Sequence, residues 1–341
     1  MVPASAATDM GTNPDRSYMP ARADDPSLTA TEHPLQGEAA PRTGAVPERD
    51  ASSVRVTLLG VAQDGGRPQA GCRGDCCAAA LTDPRLAASP VALGVRTAAG
   101  EAHLIDASRS LATHLAVWRE ADPAVAGSAS LPTDLWLTHA HLGHVDGLGL
   151  FGPEVIAADH LPVHCSPAVT ALFDSNQFWR ALVDAGHLTP TAWSRETPHP
   201  VIRPIPVPHR ADAADTHAFI IRGAERSLLH LPDHDGWADT LAAHAASTAR
   251  DWFRTLDIDI ALIDGTFWSD SELTGRDQSE VPHPTVKESL GRLGEKRSGD
   301  PRVVFIHLNH TNPLHDADSA ESRRVRNAGW EVGVEGMTFD L

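Results

Sequence analysis

The chain is short of positive charge: 28 Lys and Arg stand against 45 Asp and Glu in 341 residues, a formal net charge of −17. Nucleic acids and anionic membrane surfaces recruit concentrated Lys and Arg, so neither is expected as the main partner. Long apolar runs are missing too. No stretch approaches the roughly 20 residues that span a bilayer, and the N-terminus shows neither the basic start nor the apolar stretch of a secretory signal, so a cytoplasmic location is expected. Cysteine is scarce, at four residues, too few for a disulfide scaffold. No Gly-x-Ser-x-Gly elbow is present to suggest acyl-enzyme chemistry, and no internal repeat suggests a solenoid. What is present is 41% hydrophobic residues, enough to build the core of one large domain or two small ones. A small-molecule or small-peptide substrate fits this balance best.

Residues 1–53 mix Pro, Ala, Ser, Thr, Asp and Glu without a sustained apolar period, and are expected to form a disordered tail. The text changes at Val54, where an alternating then apolar run ends in Gly60 and the loop Asp64-Gly65-Gly66 follows. A catalytic domain is therefore expected over 54–341. Further strands are predicted near 91–97, 102–106, 134–138, 201–207, 217–222, 227–231, 259–263 and 302–306. Helical patterns fall near 108–119, 167–185, 236–254, 284–294 and 316–328. Strands interleaved with helices point to stacked sheets covered by helices, a layered α/β arrangement.

Chemistry concentrates in Leu135-Trp-Leu-Thr-His139-Ala-His141-Leu-Gly-His144-Val-Asp-Gly147, where an apolar strand ends abruptly in three histidines. Alternate residues beyond a strand point the same way, and the start of a following helix can return the third imidazole to the same volume. Three later places repeat the pattern of an apolar strand delivering a ligand-type residue: Val207-Pro208-His209, Leu231-Pro232-Asp233 and Phe305-Ile306-His307-Leu-Asn-His310. Strand ends and the loops beyond them are where a rigid scaffold presents functional groups. A separate cluster, Gly71-Cys72-Arg-Gly-Asp-Cys76-Cys77, needs one more ligand to close a tetrahedral zinc site, for which His310 is the candidate. Adjacent Cys76 and Cys77 reach one ion only with an awkward backbone, so structural zinc competes with free or redox-active thiols. Cys165 reads as simply buried. Asp277, Glu280 and His283 form a polar loop that would wall a substrate pocket, to which Trp179, Trp193 and Trp268 are further candidates.

The order His-x-His-x-x-His, His, Asp, His along the chain resembles the metallo-β-lactamase superfamily over about residues 54–341. The strings Leu58-Leu-Gly-Val-Ala-Gln-Asp-Gly-Gly-Arg-Pro-Gln69, Asp264-Gly-Thr-Phe-Trp268 and Ile306-His-Leu-Asn-His-Thr-Asn-Pro-Leu314 are similar to the branch that holds pyrroloquinoline quinone biosynthesis protein B. The resemblance implies an αββα sandwich, two packed mixed β-sheets flanked by helices. It implies that His139, His141 and His209 hold one metal and that His144, Asp233 and His307 hold a second, with Asp233 between them. It gives Asp106 the role of orienting the histidine loop by hydrogen bonds. The related phosphonate-pathway cyclic phosphodiesterase pairs an N-terminal cysteine cluster with a histidine three residues past the final active-site histidine, which supports Cys72, Cys76, Cys77 and His310 as a set. One position departs from the pattern. The superfamily's Asp in His-x-His-x-Asp-His is Gly143 here, and Asp146, beyond His144, is not expected to replace it. The remaining two histidines and one carboxylate suit iron(II) with open positions as well as zinc.

Three functions follow. A hydrolase would hold one or two Zn2+ ions and use metal-bound hydroxide on an ester, phosphodiester or lactone, with Asp233 orienting the nucleophile and His283 passing a proton to the leaving group. An oxygen-dependent hydroxylase, which the quinone-cofactor branch suggests, would hold Fe2+, with Mn2+ a further candidate; the three intact histidines of the first motif favour hydrolase-like metal binding. A non-catalytic metal-binding scaffold is the third.

Overall fold

The computed structural model describes residues 54–127, 132–194, 198–210, 214–273 and 277–341. The stretch read as a tail, residues 1–53, lies outside the described residues. The predicted strands are all present. In chain order they are β1 (Arg55–Gly60), β2 (Ala92–Arg96), β3 (Ala102–Ile105), β4 (Asp134–Trp136), β5 (Leu161–Cys165), β6 (Leu188–Ala192), β7 (Ile202–Val207), β8 (Thr216–Arg222), β9 (Ser227–Leu231), β10 (Ile260–Asp264), β11 (Arg302–Ile306), β12 (Glu331–Val332) and β13 (Thr338–Asp340). The sequence pattern missed β5, β6, β12 and β13, which sit at or near the sheet margins, are short, or carry prolines and polar residues that break the alternation.

The strands form two mixed sheets, ordered β13-β1-β2-β3-β4-β5-β6 and β12-β11-β10-β9-β8-β7. Strand alternation sorts the apolar side chains into three layers. Between the sheets lie Val56, Leu58, Leu93, Val95 and Ile105 of the first with Phe219, Ile221, Leu262, Val304 and Ile306 of the second. Leu59, Leu104, Leu135 and Val163 face the other way, toward helices α2 (Leu111–Ala121) and α5 (Pro167–Ser175), where Trp118, Val169 and Phe173 cover them. Ile220, Leu229, Ile263 and Phe305 pack outward against Trp237, Trp252, Phe253 and Leu290. This helix–sheet–sheet–helix order is the expected αββα sandwich.

Among the described residues, the helices preceding and following these are α1 (Asp75–Thr82), α3 (Pro123–Ala126), α4 (Leu142–Val145), α6 (Gln177–Asp184), α7 (Trp237–Ala243), α8 (Ala249–Thr255), α9 (Val286–Leu293) and α10 (Ala320–Asn327). Two predicted helices are divided. Residues 167–185 split at Asn176, whose side chain accepts the Phe178 and Trp179 amides and so starts a new helix. Residues 236–254 split before Thr248, which caps α8 through the Asp251 amide. No helix of the described residues is long and apolar enough to cross a membrane.

Candidate metal centre

Pairing fixes the strand directions. β1, β3 and β4 run one way in the first sheet, and β7, β9, β10 and β11 run one way in the second. Their C-terminal ends meet along one edge of the sandwich. Each predicted ligand lies just beyond such an end: His139, His141 and His144 after β4, His209 after β7, Asp233 after β9 and His307 after β11. The structure brings all six together. His141 Nδ1 lies 2.9 Å from His139 Nε2 and 3.3 Å from His209 Nε2, and Asp233 Oδ1 lies 3.7 Å from His209 Nε2. On the other side of Asp233, Oδ2 is 3.3 Å from His144 Nε2 and Oδ1 is 3.5 Å from His307 Nε2. Asp233 therefore stands between the two histidine groups.

The far side of four of the five rings is held. His144 Nδ1 is 2.7 Å from Asp106 Oδ2, and His209 Nδ1 is 3.0 Å from Asp235 Oδ1. His139 Nδ1 meets the Thr138 hydroxyl, which donates on to Asp106; His307 Nδ1 meets the Thr266 hydroxyl, which donates on to Asp264. These partners aim the four Nε2 atoms inward, the arrangement by which proteins orient imidazole ligands. Asp106 also accepts the Thr138 amide at 2.9 Å, at the start of the histidine loop. Its φ of 63° and the 60° of His307 are left-handed backbone values that a surrounding network has to hold.

Do these residues fit a metal? Among the described residues, Asp233 Oδ2 and His307 Nε2 are buried without a hydrogen-bond partner, an arrangement that is costly unless a cation takes up their lone pairs. One oxygen or nitrogen from each of His139, His141, His209 and Asp233 falls within 4.8 Å of the others. The charge balance points the same way. Despite burial, Asp106, Asp233 and Asp64 hold His144 well above the usual histidine range, so the pocket's carboxylates demand positive charge. Burial pushes His139 well below that range, which keeps it neutral and ready to ligate. The donor set, imidazoles with carboxylates, suits zinc.

Other predicted residues are distributed differently. His283 does reach the centre: its ring is 5.2 Å from that of His209 and 5.5 Å from that of His307, and its Nδ1 is anchored 2.6 Å from Asp264 Oδ2. Asp277 caps a short turn by accepting the Ser279 amide, and Glu280 presents its carbonyl to Arg210. Trp268 is core, and Trp179 packs on Phe173. Trp193 lines a separate cavity of about 860 Å³ with Trp136, His164 and His199. Asp146 is tied to Arg109. Sequence reasoning missed Asp64, Asp235 and Asp264. Asp64 lies 3.6 Å from His144 Nε2 and 3.5 Å from His307 Nε2. Its signal, an acid just past a strand end, was the one that found Asp233, but the following Gly-Gly made it read as a turn.

Cys72, Cys76, Cys77 and His310 converge as well, with one donor atom each within 4.8 Å. Both Cys76 Sγ and Cys77 Sγ are 3.4 Å from His310 Nδ1. The awkward backbone expected for adjacent cysteines is not needed, because both lie in the first turn of α1. The Gly74 amide donates to Cys72 Sγ and the Gln69 amide to Cys77 Sγ. Burial, with the neighbouring thiols, pushes Cys76 up to about 12, so without a cation this thiol is protonated and a poor nucleophile. Cys165 is buried in the first sheet's outer layer.

A family model for the Beta-lactamase superfamily domain matches residues 103–308. The chain belongs to that superfamily. The superfamily match spans every predicted active-centre ligand but neither Asp64 nor the Cys72–Cys77 segment. Coenzyme PQQ synthesis protein B of Rhodopseudomonas palustris (strain TIE-1) is 24% identical over 317 residues, covering 84% of this chain and all of that protein. In fold, the chain is similar to Zn(2+)-bound PqqB from Methylobacterium extorquens, at a TM-score of 0.66 and 21% identity over 84% of this chain and all of that one. It is also similar to a diphosphatase from the PhnP family, at a TM-score of 0.56 and 18% identity over 84% of this chain and 97% of that one.

Proposed function

We propose that this member of the β-lactamase superfamily is a zinc-dependent hydrolase of an ester or phosphodiester bond in a small molecule. The observation that carries it is the pair of inward-facing histidine groups on either side of Asp233. His139, His141 and His209 would hold one ion, and His144 and His307 with Asp233 the other. Bound there, zinc would polarise the scissile group and make water acidic enough to attack it near neutral pH. The chain's own residues do the rest. Asp233 keeps its carboxylate between the two groups and orients the attacking water. His283, anchored on Asp264, holds a proton beside the centre for the leaving group. The three-histidine group is complete, which is more than a single iron site needs, and the fold likeness to a PhnP-family diphosphatase supports hydrolysis at phosphorus. Cys72, Cys76, Cys77 and His310 would hold a structural zinc.

A second reading, oxygen-dependent chemistry at one iron on His144, His307 and Asp233, draws on the likeness to coenzyme PQQ synthesis protein B. One experiment separates them. Protein purified without added metal is assayed for zinc and iron, then tested on chromogenic phosphodiesters, esters and lactones beside Asp233→Asn. Zinc-dependent turnover that Asp233→Asn abolishes is expected. Iron in the protein, with oxygen uptake and no hydrolysis, would overturn the hydrolase.

A further inference from the structure

The second metal position lacks the carboxylate that His-x-His-x-Asp-His supplies, because that residue is Gly143. The structure fills the gap from elsewhere in the chain. A Cβ built on Gly143 would lie 2.3 Å from Asp64 Cα and 2.6 Å from Asp64 Cβ and Cγ. Asp64 thus occupies the space that a side chain at 143 would claim. The two cannot coexist without displacement of one backbone or the other.

The contacts of Asp64 match those of a ligand. Oδ1 lies 3.6 Å from His144 Nε2 and 3.5 Å from His307 Nε2, and the Gly143 amide donates to Oδ2 at 3.3 Å. One oxygen therefore faces the two imidazoles while the backbone of the position it replaces holds the other. The loop that carries Asp64 is pinned beside His307. The Gln63 amide donates to the Leu308 carbonyl at 2.8 Å, and the Leu308 amide to the Val61 carbonyl at 2.8 Å. Ala62 bridges both Pro90 and Leu308, and the Gly66 amide closes a turn onto Gln63. Asp64 and His307 each lie one residue from this shared seam, so their separation is set by backbone hydrogen bonds.

We propose that Asp64 is a carboxylate ligand of the second metal position, supplied by the loop after β1 in place of the side chain that Gly143 lacks. The inference rests on the zinc-centre reading above. It gives the second position two histidines and two carboxylates, Asp64, His144, His307 and Asp233, beside three histidines and Asp233 at the first. Such a paired set holds two divalent ions and leaves fewer open positions for oxygen chemistry.

The test is metal stoichiometry and affinity, not turnover. Wild type, Asp64→Asn and Gly143→Ala are loaded with Zn2+, dialysed and analysed for metal, with zinc titrated calorimetrically into each stripped protein. Wild type is expected to hold one more equivalent than Asp64→Asn, and the affected binding event should weaken at least about 100-fold, beyond the 10–100-fold typical of losing an outer partner. Gly143→Ala adds one methyl group and is expected to lose the same equivalent by displacing Asp64. This second variant keeps the question answerable if Asp64→Asn folds poorly. An unchanged second equivalent in both variants would overturn the role of Asp64 and leave the centre standing. A wild type that holds a single ion on its histidines would overturn it too. A wild type that holds none there would overturn the zinc-centre reading itself.

Discussion

Asp106 shows how one side chain sets two others. Its carboxylate takes the Thr138 amide, the Thr138 hydroxyl and His144 Nδ1, so it positions the first histidine through a threonine and the third directly. Asp106→Asn keeps the shape and tolerates the left-handed backbone, but its amide replaces an oxygen that accepts from His144. Zinc affinity at the centre is expected to fall roughly 10–100-fold with the fold intact, as read by chelator competition; unchanged affinity would show that Asp106 serves the fold alone. His283 poses a different question, because its ring faces the centre while its anchor faces away. His283→Gln is expected to lower kcat by roughly 10²–10⁴-fold at unchanged zinc content. Loss of an ion along with activity would make it a ligand. At this scale the sequence was legible where a mainly apolar strand ended in a candidate ligand, as at His209, Asp233 and His307. It was illegible where the ligand type coincided with turn chemistry. Asp64 before two glycines is what a turn also requires, and only the steric exclusion of Gly143 tells the two apart.

Elements carry the centre because the strands that deliver it run one way and end together, and partners from other strand ends, Asp106, Asp235 and Thr266, hold His144, His209 and His307. The nine strands β1–β4 and β7–β11 were readable from their apolar runs. The margins were not: β6 exposes most of its side chains, and β5 alternates buried residues with Pro162 and His164. Helix α1 also escaped notice, because its first turn is the cysteine cluster itself, and that placement brings Cys76 and Cys77 to the same His310 nitrogen. The consequence is mechanical. The segment from Val61 to Cys77 is fastened to the 307–310 segment twice, by the backbone seam at Leu308 and by the cysteine cluster at His310. Cys77→Ala is expected to release one zinc, lower Tm and speed amide exchange across 61–77, measured by hydrogen exchange with metal analysis. Full zinc content and unchanged exchange in this variant would mean that the cluster holds no metal and that the seam alone fixes the loop.

Over the whole molecule, histidine is an acid liability as well as a ligand source, because imidazoles are buried neutral in the layers away from the centre. His114 packs against β1, where its Nε2–H donates to the Pro90 carbonyl at 3.0 Å and where a Cβ on Gly60 would meet the same ring nitrogen at 2.9 Å. Burial pushes it down to about 4, and burial with the nearby Arg67 pushes His315 to about 4 as well. An unfolded chain takes up a proton at each below about 6.5, which the folded chain refuses until about pH 4. Folded stability is therefore complete above 6.5 and declines as the pH falls toward 4. At pH 5 each such group costs about 2 kcal/mol, from 1.36 kcal/mol per unit over 1.5 units. His114→Gln keeps a donor for Pro90 and removes the titration. Urea unfolding at pH 7 and pH 5 is expected to show near-equal stability of the two proteins at pH 7 and a smaller acid loss in the variant, by about 2 kcal/mol. Metal release at pH 5 affects both proteins alike, so it cancels in the difference. An identical acid loss in wild type and variant would place the acid sensitivity in the metal centre instead of in the packed layers around it.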